Sequence, residues 1–348
     1  MPNAAASSAP SYSWPRRILT GLLAFALFLA VAGMIYENIS EARDVRFNPM
    51  TGKRFDVRGF KMHIDCTGEG SPTVILDSGL GDTYLSWSKV QPQIAKFTRV
   101  CSYDRAGLGF SDASPQPRTS KVFAGELNAL LQAAGIAPPY VLVGHSMGGY
   151  DVRLYASLYR DQVAGMVLVD SSHPDQENRF PPELRGMEAG WLREAEFVQY
   201  SMPFGIPRLL GLCDEDAAAR AAECNWHSAA EAEAELKNIS VSAAQTAATG
   251  SLGDLPLEVL SHDPDKPSAD LPADLAKPTN DAWENMQEEL AHLSTRGTQM
   301  IAKNSSHYIQ LDRPEVVVEA VQRVVAQARA AQTAGQAPSS SPSPSPSH

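Results

Sequence analysis

The sequence predicts an α/β domain with a mostly parallel central sheet flanked by helices, and three observations predict it. Short apolar runs at 74–76, 100–103, 140–143 and 166–169 read as buried strands. Helical patterns at 122–133 and 150–159 separate most of them, and strands alternating with helices imply a parallel sheet covered on both faces. The third observation is a tight turn between one such strand and the helix after it, with a serine at its apex.

Along the chain, residues 1–15 are mostly Ala, Ser and Pro without periodicity and read as a disordered lead. Residues 18–36 carry no charge and would extend about 28 Å as a helix, close to the hydrocarbon thickness of a bilayer. Arg16 and Arg17 precede this run and Glu37, Glu41 and Asp44 follow it. The expectation is therefore a transmembrane signal anchor over 16–36, with the N-terminus cytoplasmic and the domain that follows extracytoplasmic. The alternative is a secreted protein, because Ala30-Val31-Ala32 fits a signal-cleavage site; the apolar run continues past it through Tyr36. Residues 37–54 read as a tether.

The core begins at residue 55, where 55–66 alternates apolar and polar as paired antiparallel strands do. Core residues 55–173 are followed by an Ala-, Glu- and Arg-rich helical stretch over 174–250, with helical segments at 188–199, 215–224 and 228–238. Residues 257–260 resume the sheet, within a second core portion over 251–331. There Asp312 to Glu315 reads as an N-cap and capping box for a helix with Val317, Val321 and Val324 on one face. After about Gln332 a Ser-Pro repeat reads as a disordered tail.

Composition excludes some classes. The chain of 348 residues has a net charge of −11 and no basic stripe, the opposite of a nucleic-acid binder. It has no C-x-x-C pair, so zinc-ribbon and thioredoxin-like chemistry have no support. Cys213 and Cys224 bracket a short helical stretch that a disulfide would staple in an oxidising compartment.

The serine lies in Gly144-His145-Ser146-Met147-Gly148, after the apolar 140–143 and before the helix. Strand, sharp turn, helix is the context of a nucleophile elbow. The turn strains Ser146, and the glycines avoid Cβ collisions with neighbouring elements. An alcohol near neutral pH is a poor nucleophile and needs a histidine base, itself oriented by a carboxylate.

With these residues the chain resembles the α/β-hydrolase superfamily, specifically its esterase, lipase and peptidase-like group, over about 55–328. Thr73-Val74-Ile75-Leu76-Asp77-Ser78-Gly79-Leu80-Gly81, followed by Trp87, is similar to the family's third strand and oxyanion loop, with Ser78 where His is usual. Asp104-Arg105-Ala106-Gly107-Leu108-Gly109-Phe110-Ser111 resembles its D-R-x-G-x-G-x-S segment. Ser306-His307-Tyr308, shortly before Asp312-Arg313-Pro314, resembles its late G-H…P signature, with Ser306 replacing Gly.

The resemblance implies an α/β-hydrolase fold in which 174–250 forms a helical cap. Trp191, Phe197, Tyr200, Met202 and Phe204 would give that cap an apolar inner face. It implies His307 as base, with Met147 and Leu80 N–H as oxyanion donors. Gly79 and Trp87 would lie beside the substrate, Trp87 equally well in the core, while Asp104-Arg105 locks loops beneath. His145 would pack under the sheet, His292 falls in a helical run over 281–293, and His63 and His227 carry no motif. The acid is Asp170, which closes the 167–169 strand, or Asp265, which follows the next; Val-Asp-x-x-His-Pro favours Asp170. The family's sheet order sets Cys66 beside Cys101, as a second disulfide or as two buried apolar groups.

The function this implies is hydrolysis of carboxylic esters with small or medium acyl groups through an acyl-enzyme, without metal or organic cofactor. The partner is a small ester or amide. Two alternatives stay open: an aminopeptidase or amidase that holds a substrate ammonium on Glu183, Glu188 or Glu196, and a non-catalytic, membrane-tethered binding protein on the same scaffold.

Overall fold

The computed structural model describes residues 13–266 and 271–336. The ends assigned to disordered segments lie mostly outside them. At the N-terminus, helix Ser13–Phe47 covers the uncharged run and continues beyond it, so most of the expected tether is helical. This helix is long and apolar enough to cross a membrane.

Eight strands form one sheet in the order β1-β2-β4-β3-β5-β6-β7-β8. They are β1 Lys53–Val57, β2 Phe60–Thr67, β3 Thr73–Asp77, β4 Val100–Tyr103, β5 Tyr140–His145, β6 Val163–Val169, β7 Leu257–Ser261 and β8 Gly297–Ile301. The alternating 55–66 segment is a hairpin: β1 pairs antiparallel with β2, which pairs antiparallel with β4. All other pairings are parallel. The parallel strands β3, β5 and β7 are buried along their whole length, as expected for strands covered by helices on both faces.

Successive residues of each strand point to opposite faces and build two separate cores. Ile75, Leu142, Met166, Leu168 and Val259 face one, together with Leu127 and Leu130 of helix Ser120–Ala133. Val74, Leu76, Val141, Val143, Val167 and Val169 face the other, against Val317, Val321 and Val324 of helix Pro314–Gln336. That helix runs past the expected boundary at Gln332. Asp312 does not cap it; its carboxylate accepts the backbone N–H of Ser306 at 2.7 Å, and Glu315 pairs with Arg313.

Between β6 and β7 the chain is helical, with principal helices Glu183–Ser201, Ala217–Glu223, Trp226–Lys237 and Ile239–Ala247. Disulfide Cys213–Cys224 closes a short loop in this region, and Cys66–Cys101 joins directly opposed residues of β2 and β4.

The inner side of this helical layer is acidic. The aromatics Trp191, Phe197, Tyr200 and Phe204 are exposed, and only Met202 of the expected inner face is buried. Helix Trp226–Lys237 instead inserts Glu231 and Glu235, which meet Arg118 and Arg105 of the core. Glu223 accepts a hydrogen bond from the Thr83 hydroxyl at 2.7 Å, and burial pushes its carboxyl up to about 7. Amphipathic spacing identifies a face but not its partner, and here buried arginines in the core select carboxylates.

Candidate active site

The candidate residues lie past the C-terminal ends of neighbouring parallel strands, where open α/β sheets bind their ligands. Ser146 follows β5 and has a left-handed backbone, φ 50°. Such a conformation costs a residue with a side chain on the order of 1–3 kcal/mol, and close packing enforces it. A Cβ on Gly144 would come within 2.5 Å of the Gly148 carbonyl oxygen, and one on Gly148 within 2.6 Å of the Asp77 and Ser78 oxygens. Only glycine at both places lets helix Gly148–Leu158 start this close to the strands. The Ser146 N–H donates to Val169 O at 3.2 Å, and its carbonyl accepts from Ser172 N–H at 2.9 Å.

Asp170 follows β6, also left-handed with φ 43°. Its buried carboxylate accepts His307 Nδ1–H at 2.6 Å, Trp283 Nε1–H at 2.9 Å, and both the backbone N–H and Nδ1–H of His262 at 2.9 Å. Burial alone would raise this carboxyl, but the hydrogen bonds from His262 and His307 outweigh it and hold the group well below the usual range. The same pairing raises His262 against the opposing effect of its burial.

The His307 side chain is 39% exposed, so its far edge faces outward while Nδ1 is held. Asp265 is elsewhere: its carboxylate is 87% exposed and meets Lys303 at 3.3 Å. Its neighbour Asp263 pins the His307 loop by accepting Asn304 N–H at 2.8 Å.

His145 does not lie under the sheet. Its ring packs 4.7 Å from the His307 ring and donates Nε2–H to the His307 carbonyl at 3.0 Å, which ties the His307 loop to the residue next to Ser146. Among the described residues no hydrogen bond joins the Ser146 hydroxyl to the His307 ring, and neither Leu80 N–H nor Met147 N–H has an acceptor. Hydrogen bonds of this kind often tighten only when substrate binds.

Arg105 shapes the Leu80 loop. It donates to Ser78 O at 2.7 Å and Gly79 O at 2.5 Å, which turns those carbonyls inward. Gly79 lies between Asp82 and His145, where a Cβ would come within 2.9 Å of the imidazole. Trp87 does not line a substrate pocket: it is fully buried in the core with Val74, Leu76 and Ile94. His63, without a motif in the sequence, pairs with Asp104 at 2.7 Å beneath the site. His292 lies exposed just after helix Ala273–Ala291.

Sequence reasoning missed His262 and Trp283 as partners of Asp170. A signal for the first existed, because Val169 pairs with Leu260 in parallel register and the polar residues just past β7 must lie beside Asp170. Trp283 arrives from a helix distant in sequence and carries no such signal.

A family model of the alpha/beta hydrolase fold matches residues 72–221. YqjL, an uncharacterized protein of Bacillus subtilis (strain 168), is 27% identical over 273 residues, 78% of this chain and 91% of its own. The probable transporter efuK of Hormonema carpetanum and the uncharacterized protein YbdG of Bacillus subtilis (strain 168) are matched over 17% and 50% of their own length. The chain is similar in structure to a thermophilic esterase from Thermogutta terrifontis (TM-score 0.57, 21% identity, 80% of this chain and 99% of that one). It is also similar to the haloalkane dehalogenase DbeA-M1 loop variant from Bradyrhizobium elkanii (TM-score 0.64, 19% identity, 82% and 99%). The protein has the α/β-hydrolase fold.

Proposed function

We propose that the protein is a serine hydrolase of carboxylic esters with small or medium acyl groups. The observation that carries this reading is the His307–Asp170 hydrogen bond of 2.6 Å beside the elbow serine. Ser146 attacks the ester carbonyl and His307 Nε2 takes its proton. The buried Asp170 carboxylate fixes the imidazole tautomer and balances the imidazolium that forms. The N–H groups of Leu80 and Met147 receive the oxyanion; each such donor is typically worth about 10²–10³ in rate. His307 then protonates the leaving alcohol, and water frees the acyl-enzyme by the same path.

A serine at the elbow separates this chemistry from relatives on the fold that use an aspartate nucleophile. The amidase alternative draws no support from the cap: Glu183 is exposed and Glu196 pairs with Lys237 at 3.3 Å, while the Glu188 side chain lies outside the described residues.

Helix Ser13–Phe47 is read as a retained anchor with the hydrolase domain extracytoplasmic, which the two disulfides favour. Stopped-flow hydrolysis of p-nitrophenyl acetate and butyrate by the full chain in detergent should show a burst of about one p-nitrophenol per protein, absent in Ser146→Ala. Faster turnover of matched p-nitroanilides than of esters would overturn the ester reading in favour of an amidase.

A further inference from the structure

Three apolar residues of the segment between β6 and β7, Phe204, Ile206 and Leu209, lie beside the N-terminal helix. Helix and cap touch backbone to backbone: a Cβ on Gly33 would come within 2.5 Å of the Phe204 carbonyl oxygen, and one on Gly205 within 2.7 Å of the Tyr36 ring. Arg208 locks the contact, donating to Glu37 at 3.1 Å and Asp44 at 2.6 Å from a largely buried position. The cap segment 202–212 therefore has a defined height along the helix.

That height is the end of the uncharged run. Leu29, Gly33 and Tyr36 of the helix, with Phe204, Ile206 and Leu209 of the cap, line an apolar groove of about 550 Å³. From Leu29 to Tyr36 the helix rises only about 10 Å, so the groove fits within one leaflet of an approximately 30 Å hydrocarbon layer. The first carboxylate, Glu37, comes one residue later and pairs with Arg208, which it shares with Asp44. Leu209 of the groove and Leu210 next to it in the chain are 69% and 60% exposed. In water so continuous an apolar patch would be a liability. Tyr200, toward the Arg193 and Glu196 edge, has the amphipathic ring that suits a headgroup boundary.

We propose that this cap face is a second membrane contact, covered by lipid acyl chains of the leaflet around the C-terminal end of the anchor. The face is continuous with the exposed apolar surface of the helix, so chains that surround Leu29 and Ile35 also reach Leu209 and Leu210. The cap is thereby held against the bilayer instead of swinging on a flexible stalk. The inference rests on the anchor reading, and its test separates the two.

The full chain is made with a single added cysteine, Leu23→Cys, Leu210→Cys or Lys277→Cys. Each is labelled with an environment-sensitive fluorophore and reconstituted in phosphatidylcholine vesicles; the native cysteines are held in disulfides. Lys277, 81% exposed on a helix of the core, is the aqueous reference. At Leu23 and Leu210 the expected result is severalfold stronger quenching by a nitroxide on the lipid chain than by iodide, with the reverse at Lys277. Lipid quenching at Leu23 with iodide quenching at Leu210 overturns the cap contact alone. Iodide quenching at Leu23 overturns the anchor and the cap contact together. Shielding of Leu210 from both quenchers, as a second copy seated on the face would give, also overturns it.

Discussion

Asp170→Asn should lower kcat on p-nitrophenyl esters by about 10⁴-fold, while Asp265→Asn leaves it unchanged. The Asp170 carboxylate is fully buried and accepts N–H groups from His262, Trp283 and His307, so every direction around it is a donor. An amide there presents its own NH₂ to at least one of them, and His307 loses the acceptor that fixes its tautomer. The Asp265 carboxylate pairs only with Lys303 among the described residues and lies in water.

Asp170 is depressed relative to its ordinary value of 3.8. Its contribution to stability is therefore present above that value and is lost only as pH falls through the depressed one. His262 is raised from 6.5, so its share is complete below that value and fades as pH rises through the raised one. The variant should flatten both dependences. Thermal melts carried from about pH 2 to pH 9 measure both, and a loss of steady-state rate larger in Asp265→Asn than in Asp170→Asn would contradict the assignment.

Arg105→Met should destabilise the full chain by about 3–5 kcal/mol, because removing one partner of a buried ion pair strands the others. The guanidinium is 2% exposed and donates to Glu235 at 2.6 and 2.9 Å and to Asp77 at 3.1 Å, with Asp151 at 3.9 Å. Without the cation, burial and mutual repulsion act on three carboxylates against only the remaining hydrogen bonds, from Tyr103 to Asp77 and from Gly81 N–H to Glu235. Asp77 is already pushed up to about 6 by its burial with Arg105 present. The Ser78 and Gly79 carbonyls would also be released, so the folded fraction should lose kcat through a misaimed Leu80 N–H. Adding Glu235→Gln removes one stranded charge and should recover part of the stability. Urea unfolding measures both variants, and a change below about 1 kcal/mol in Arg105→Met would contradict this account.

The elbow was legible because all its parts are contiguous: strand, glycines, serine and helix occupy one short stretch, and the steric need for Gly144 and Gly148 is local. The alternation of apolar runs with helices likewise implied the parallel sheet, since burial on both faces removes polar residues from those strands. The choice between Asp170 and Asp265 was less legible because the partners of Asp170 come from separate segments, and only strand register brings His262 to it. Trp87 could not be assigned to core or pocket because an indole satisfies both, and only packing decides. The cap misled for a related reason. Its aromatics predict a buried face, but Phe204 meets the N-terminal helix and Trp191, Phe197 and Tyr200 stay exposed, while the core's buried Arg105 and Arg118 draw carboxylates from helix Trp226–Lys237. Asp312 fits a helix-start pattern in sequence, yet the nearby Ser306 N–H takes its carboxylate.

The central claim is that Ser146 is an activated nucleophile. Incubating the folded full chain with a fluorophosphonate at neutral pH and mapping the adduct by peptide mass spectrometry tests it most directly. The account predicts stoichiometric modification of Ser146, none in Ser146→Ala and strongly slowed modification in His307→Ala. A folded wild type that stays unmodified at Ser146, or that is labelled on a different serine, would contradict it.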